Sequence, residues 1–208
     1  MFAYLWRRFG GLLSPQTTMN RSIAIALAGV AGLSLLAGCR HSPNAPTKTG
    51  FLYTYNNLVQ VDASTWRYIN ADRLPIYRRF TIDPVKVTVK EWEGKELTAE
   101  QRAKAAAYVR KALTEALQDK YPIVTEPGVD VGEFRIAITS AYKKGMQVGF
   151  SLEGEVLDSY TAVQVAAVTR SEVGELYIGS WWDGPSFKQM VDAWAKRVRE
   201  ALDKVDNK

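Results

Sequence analysis

Residues 134–157 read FRIAITSAYKKGMQVGFSLEGEVL, and their periodicity decides the fold class. Phe134, Ile136 and Ile138 alternate with Arg135, Ala137 and Thr139. Val148, Phe150 and Leu152 repeat at the same interval and lead into Glu153-Gly154-Glu155-Val156. Side chains on a strand point to opposite faces in turn, so this period predicts two strands that each present an apolar face. Such a face has to be covered, and two helical stretches can cover it. Thr98-Ala99-Glu100-Gln101 is a capping box, with Thr98 as N-cap and Gln101 at the third helical position. The helix it opens places Ala105, Val109, Ala112, Leu113 and Ala116 on one side, and Tyr121-Pro122 stops it. Pro185 or Ser186 opens the second helix. Its stripe of Phe187, Met190, Val191, Trp194, Val198, Leu202 and Val205 is the clearest periodicity in the chain.

Further strand candidates lie on both sides of this stretch. Phe80 and Ile82 alternate, and Val85, Val87 and Val89 alternate in the opposite phase. Asp83-Pro84 between them removes an amide donor, which predicts a bulge or an edge position. Ile123-Val124 precedes the turn Glu126-Pro127-Gly128, and residues 163–168 are apolar on both faces, as a central strand would be. Phe51, Leu52, Tyr55 and Leu58 form a short aromatic-aliphatic segment, followed by a stretch through Trp66, Tyr68 and Tyr77 that reads as irregular. The expected architecture is α+β: a mostly antiparallel sheet of about five strands with two helices packed on one face.

Composition narrows the class. The 208 residues are 47% hydrophobic and 24% charged, average values that exclude a disordered chain, a collagen-like fibre and a polytopic membrane protein. One Cys and one His exclude an internal disulfide framework and a Cys-rich zinc site. No cofactor or metal is implied.

Residues 19–39 carry an address. Met19-Asn20-Arg21 is a short positive segment, and residues 22–36 are uncharged and rich in Ala, Leu and Ile. The run is shorter than the ~20 residues a membrane-spanning helix needs. It ends in Leu36-Ala37-Gly38-Cys39, where small residues let the chain lie extended in a peptidase and the next thiol can take up a lipid. This pattern resembles the bacterial lipobox. The resemblance implies diacylglycerol on the Cys39 sulfur, cleavage between Gly38 and Cys39, and acylation of the new amine. Two or three chains at ~0.8 kcal/mol per buried methylene anchor stably where one would be marginal. Arg40, where lipoproteins of this kind carry Asp when they stay in the inner membrane, implies the outer membrane, facing the periplasm.

Three segments are therefore expected. Residues 1–38 are a signal peptide, with translation starting at Met19 or, with an extended N-terminus, at Met1. Residues 39–50 are a lipidated tether rich in Pro and polar residues, and residues 51–208 are one globular domain. The eleven residues 40–50 span at most ~36 Å, which keeps the domain close to its membrane. Loss of Arg7, Arg8 and Arg21 with the signal lowers the 27 basic residues to 24 against 22 acids, so the net charge falls from +5 to +2. That is too little to imply a nucleic-acid partner.

Several phrases in order resemble a family of Gram-negative lipoproteins known as domain of unknown function 3313. They are Gly50-Phe51-Leu52 with Tyr55 and Leu58, Ile82-Asp83-Pro84-Val85, Tyr121-Pro122-Ile123-Val124, Pro127-Gly128, Arg135-Ile136-Ala137-Ile138-Thr139, residues 153–159 and Trp194-Ala195. The resemblance spans almost all of the mature chain and implies envelope localisation without an activity. One departure is that Tyr160-Thr161-Ala162 follows Asp158-Ser159, where the family pattern implies Thr-Gly.

The candidate chemistry is sparse. Glu153, Glu155 and Asp158 are the best carboxylates for acid–base work. Glu153 and Glu155 fall on one strand face ~7 Å apart, yet a solvent-facing polar edge is the simpler expectation. Ser151, Ser159 and Ser186 have no His in the domain, since His41 lies in the tether, so a Ser-His-Asp triad is excluded. Gly145, Gly149 and Gly154 suit turns and bulges better than a phosphate loop. Arg73, Arg78 and Arg79 with Tyr77 read as a solvated basic face. Trp181-Trp182 is the candidate partner contact, because two adjacent indoles cannot easily share one buried face and an exposed Trp is typical of a binding hot spot. The expected function is a non-catalytic envelope lipoprotein that docks a protein partner. The alternatives are a small-molecule or lipid carrier with an apolar pocket between sheet and helices, and a carboxylate-based hydrolase.

Overall fold

The computed structural model describes residues 48–144, 146–175, 182 and 184–206, all within the unit Ser42–Lys208. Three long strands form the centre: β7 (Val131–Lys144), β8 (Gln147–Asp158) and β9 (Gln164–Glu175), joined as consecutive antiparallel neighbours. A hairpin of β1 (Val59–Asp62) and β2 (Thr65–Ile69) adds to the free side of β9. Asp62 closes its two-residue loop by accepting the Ser64 N–H and hydroxyl at 2.8 and 2.9 Å. On the other side β3 (Arg79–Ile82) and β4 (Lys86–Val87) both run parallel to β7, against successive stretches of it. The sheet therefore has seven strands in the order β1-β2-β9-β8-β7-β3, with β4 on the same edge as β3. Asp83-Pro84 sits between β3 and β4, where an edge tolerates a missing donor.

The α+β reading holds, with corrections to the sheet. It is mostly antiparallel as expected, but has seven strands rather than about five, two of them parallel to β7, and the stretch read as irregular contains the β1–β2 hairpin. Ile123 makes one isolated bridge to Phe80 in place of a strand. A separate small hairpin pairs β5 (Glu91–Trp92) with β6 (Lys95–Glu96) through Glu93 and Gly94, both at positive φ.

Both helices lie on one face. The capping box forms as read: Thr98 Oγ1 accepts the Gln101 N–H at 3.2 Å, and Gln101 Oε1 accepts the Thr98 N–H at 2.7 Å. It opens α1 (Ala99–Leu117), and Ala105, Val109, Ala112, Leu113 and Leu117 are its buried side, with Ala116 half-buried. Helix α2 (Pro185–Asp206) buries Phe187, Met190, Val191, Trp194 and Leu202. Against them lie Phe134, Ile136, Ile138, Val148, Phe150, Leu152 and Val156 from the sheet. The Phe150 and Phe187 rings meet at 5.4 Å between centroids. No described helix is long and apolar enough to cross a membrane.

The opposite face is covered as well. Residues 48–58 fold across it as a strap, and Leu52 and Leu58 pack with Ala167, Trp66 and Tyr68 in a second, smaller core. Helices on one side and the strap on the other explain why β8 is buried along almost its whole length.

Candidate functional site

Glu153 and Glu155 lie under the strap, each only 2% exposed, which corrects the solvent-facing reading. A carboxylate is costly to bury unless donors meet it. Glu153 Oε2 accepts the Tyr55 hydroxyl at 2.6 Å and the Thr49 hydroxyl at 2.9 Å. Glu155 Oε2 accepts the Tyr53 N–H at 2.8 Å and Gln164 Nε2 at 2.7 Å, while Oε1 receives the Arg135 guanidinium at 2.7 Å. The same guanidinium lies over the Phe51 ring, 5.3 Å from its centroid. Tyr55 also accepts the Gly50 and Phe51 N–H groups at 3.0 and 3.1 Å, a tight approach that Gly50 permits at φ +83°. The two glutamates thus act as fixed acceptors that clasp the strap to the sheet. The sequence placed them on one face; the strap donors Thr49, Tyr53 and Tyr55 come from about a hundred positions away and carry no local signal.

Asp158 ends β8 in a different setting. Burial alone would raise its carboxyl, but the Thr161 N–H, the Tyr77 hydroxyl and the Tyr160 N–H outweigh that and bring it to about 2. Tyr77 donates to it at 2.7 Å, and burial followed by that hydrogen bond pushes the phenol up to about 12. Ala162 closes the adjoining turn at φ 55°, a conformation that Gly adopts without strain, at the point where the chain departs from the family pattern.

The basic set is neutralised rather than free. Arg73 pairs with Asp158 at 3.6 Å, Arg79 with Asp130 at 2.5 Å, and Arg78 with Asp206. Trp182 is half-buried against the main core, and Trp181 lies outside the described residues, as do Gly38, Cys39 and His41. Ser151 joins Ser140 and Ser171 in hydroxyl–hydroxyl hydrogen bonds of 2.9 and 3.0 Å, Ser159 bonds the Gly128 backbone, and Ser186 is buried in the first turn of α2. Among the described residues no three His, Cys, Asp or Glu side chains form a metal-ligand group.

The feature suited to a ligand is on the helix side. Helix α2 packs along β9, and between its second half and the sheet lies a cleft of about 220 Å³ lined by β2, β9 and β8. Ile69, Val168, Trp194, Val198 and Leu202 are among its apolar walls, with Gly154 at the floor. A Cβ on Gly154 would meet nothing closer than Val168 Cγ1 at 3.6 Å, so the missing side chain adds room. Val61, half exposed, extends the apolar surface outward along β1. Arg67, Arg170, Arg197 and Asp62 line the same cleft. Arg170 donates to Glu172 at 2.6 Å and to Thr65 at 2.5 Å and lies 3.5 Å from Asp62; Arg197 also pairs with Glu172. An apolar pocket between sheet and helices was among the readings of the sequence, but its lining was not identified, because β2, which supplies Thr65, Arg67 and Ile69, was not read as a strand.

The fold and its two faces define an α+β domain with a clasped strap on one side and an apolar cleft on the other. The chain belongs to the family described as Protein of unknown function (DUF3313), whose model matches residues 47–150. No curated protein matches it. Among solved structures it is similar to a PelC dodecamer from Paraburkholderia phytofirmans, at 11% identity and TM-score 0.43 over 65% of this chain and 96% of that one. It is also similar to protein XCC0632 from Xanthomonas campestris, at 12% identity and TM-score 0.46 over 63% and 88%. A third is lipoprotein GNA1162 from Neisseria meningitidis, at 10% identity and TM-score 0.35 over 63% and 99%.

Proposed function

We propose that the protein is a non-catalytic lipoprotein of the cell envelope, anchored to the outer membrane through lipidated Cys39, whose domain binds an apolar ligand in the cleft between α2 and β2–β9. The cleft carries this reading. An apolar cavity of ~150 Å³ holds a benzene-sized molecule, and at about 220 Å³ this one has room for a longer segment of hydrocarbon. The two buried glutamates support a binding role over a hydrolytic one, because their oxygens are already engaged by the strap, Gln164 and Arg135.

Native mass spectrometry of the full chain, released from membranes in a non-ionic detergent, tests the reading. A co-purifying small apolar ligand that is lost in Gly154→Val is the expected result. A ligand retained in that variant at unchanged occupancy counts against the cleft.

A protein partner is the second reading, favoured by Trp182, whose indole is only partly covered. In intact envelopes, Trp182→Ala should lose a crosslinked partner while keeping its melting temperature. Unchanged crosslinks would remove Trp182 from that role.

A further inference from the structure

We propose that the occupant of the cleft is a single-chain, long-chain fatty acid, with its alkyl segment between α2 and the sheet and its carboxylate on Arg67; this rests on the cleft being a binding site. Charge balance around the cleft supplies the argument. Its cations are Arg67, Arg170 and Arg197, and the carboxylates that meet them are Asp62 and Glu172. Glu155 also borders the cleft through its strand, but its carboxylate is engaged by Tyr53, Gln164 and Arg135, from the strap and strap face. Asp62 and Glu172 are shared between Arg170 and Arg197, which leaves Arg67 as the cation of the set with no ion pair or hydrogen bond among the described residues. Arg67 is exposed on β2 and registers opposite Val59 of β1, itself exposed, so a guanidinium stands beside apolar surface at the lip. A second observation points the same way: Arg197 Nε, in the wall of the cleft, is buried without a hydrogen-bond partner among the described residues. A planar guanidinium matches a carboxylate through two parallel hydrogen bonds, which a neutral alcohol cannot reproduce.

The size of the cleft selects the chain number. About 220 Å³ accommodates part of one alkyl chain, and the remainder would follow Val61 and Val59 along β1.

The test uses isolated membranes holding the full chain and two photoreactive probes of equal length, a diazirine-bearing hexadecanoic acid and the corresponding hexadecanol. Labelled peptides are mapped by mass spectrometry. The acid should label the cleft peptides containing Val61, Ile69, Val168 and Val198 at least several-fold more than the alcohol. Arg67→Gln should bring the acid down to the level of the alcohol. Gly154→Val and, from the opposite wall, Ala201→Leu should suppress both probes; protease resistance of each variant in the same membranes reports that it is folded. Equal labelling by acid and alcohol in the unaltered chain, or an acid preference that survives Arg67→Gln, overturns the fatty-acid proposal and leaves the apolar cleft standing. Failure of both probes to label the cleft, or labelling that persists in both filled variants, overturns the cleft reading itself.

Discussion

The Tyr55 hydroxyl donates to Glu153 Oε2 at 2.6 Å while it accepts the backbone N–H groups of Gly50 and Phe51. One side chain therefore both folds the strap and fastens it to the middle strand of the sheet.

Tyr55→Phe keeps the ring and removes the donor. A buried acceptor that loses its partner costs about 1–3 kcal/mol, so the urea midpoint should fall accordingly. Limited proteolysis should also cut after Lys48 sooner than in the unaltered protein. An unchanged midpoint and an unchanged cleavage rate would show that the clasp is not what holds the strap.

Trp194 sits in the middle of the buried stripe of α2, 3% exposed. Truncation of a buried indole costs about 3–5 kcal/mol, a large share of the stability of a domain this size. Trp194→Ala should unfold or nearly unfold the protein at ordinary temperature, as read by circular dichroism. A melting temperature within a degree of the parent would contradict the packing of α2.

Ala162 is held at φ 55° with its N–H on the Asp158 carbonyl at 2.9 Å. A Cβ in this left-handed region costs roughly 1–2 kcal/mol, which Gly avoids at the expense of greater freedom in the unfolded chain. Ala162→Gly should therefore raise stability by up to about 1 kcal/mol, measured by urea unfolding.

Asp158 and Tyr77 set opposite pH limits. The Asp158 carboxyl falls from its ordinary 3.8 to about 2 in the folded protein, since hydrogen bonds from residues 160–161 and Tyr77 outweigh burial. Its contribution to stability is present above about pH 4 and is lost as pH falls from 4 through 2. The Tyr77 phenol rises from 10.0 to about 12, mainly through burial and then through Asp158, so its contribution is lost as pH climbs from 10 towards 12. Melting temperatures of the parent and Asp158→Asn should converge at acid pH. Curves that stay parallel from pH 5 to 2 would contradict the assignment.

Lipidation is tested at Cys39. Cys39→Ser should accumulate as an uncleaved precursor that takes up no labelled palmitate. Mature-sized, labelled protein from that variant would end the lipoprotein reading, and sedimentation of the parent with inner-membrane markers would end the outer-membrane one.

Local pattern carried much of the fold. The capping box, the alternation in residues 134–157 and the stripe from Phe187 to Leu202 each depend on neighbours within a few positions, and each forms as read. The β1–β2 hairpin escaped because its two faces meet different surroundings. Trp66 and Tyr68 join the strap core, whereas Thr65, Arg67 and Ile69 border the cleft, so neither face shows a consistent polarity. Parallel pairing of β3 and β4 with β7 was also illegible, since strand direction follows from a crossover that spans α1 rather than from either segment.

The chain's own pattern of residues was enough for the α+β class and for where the two helices begin, because periodicity and capping act over short separations. The burial of Glu153 and Glu155 and the existence of the cleft are of another kind. A carboxylate on a strand reads as solvent-facing until donors 98 and 104 positions away are brought against it, as Tyr55 and Thr49 are here. Likewise the cleft exists only where the second half of α2 meets β2, β8 and β9, a consequence of how rigid elements of fixed size pack, which no single segment encodes.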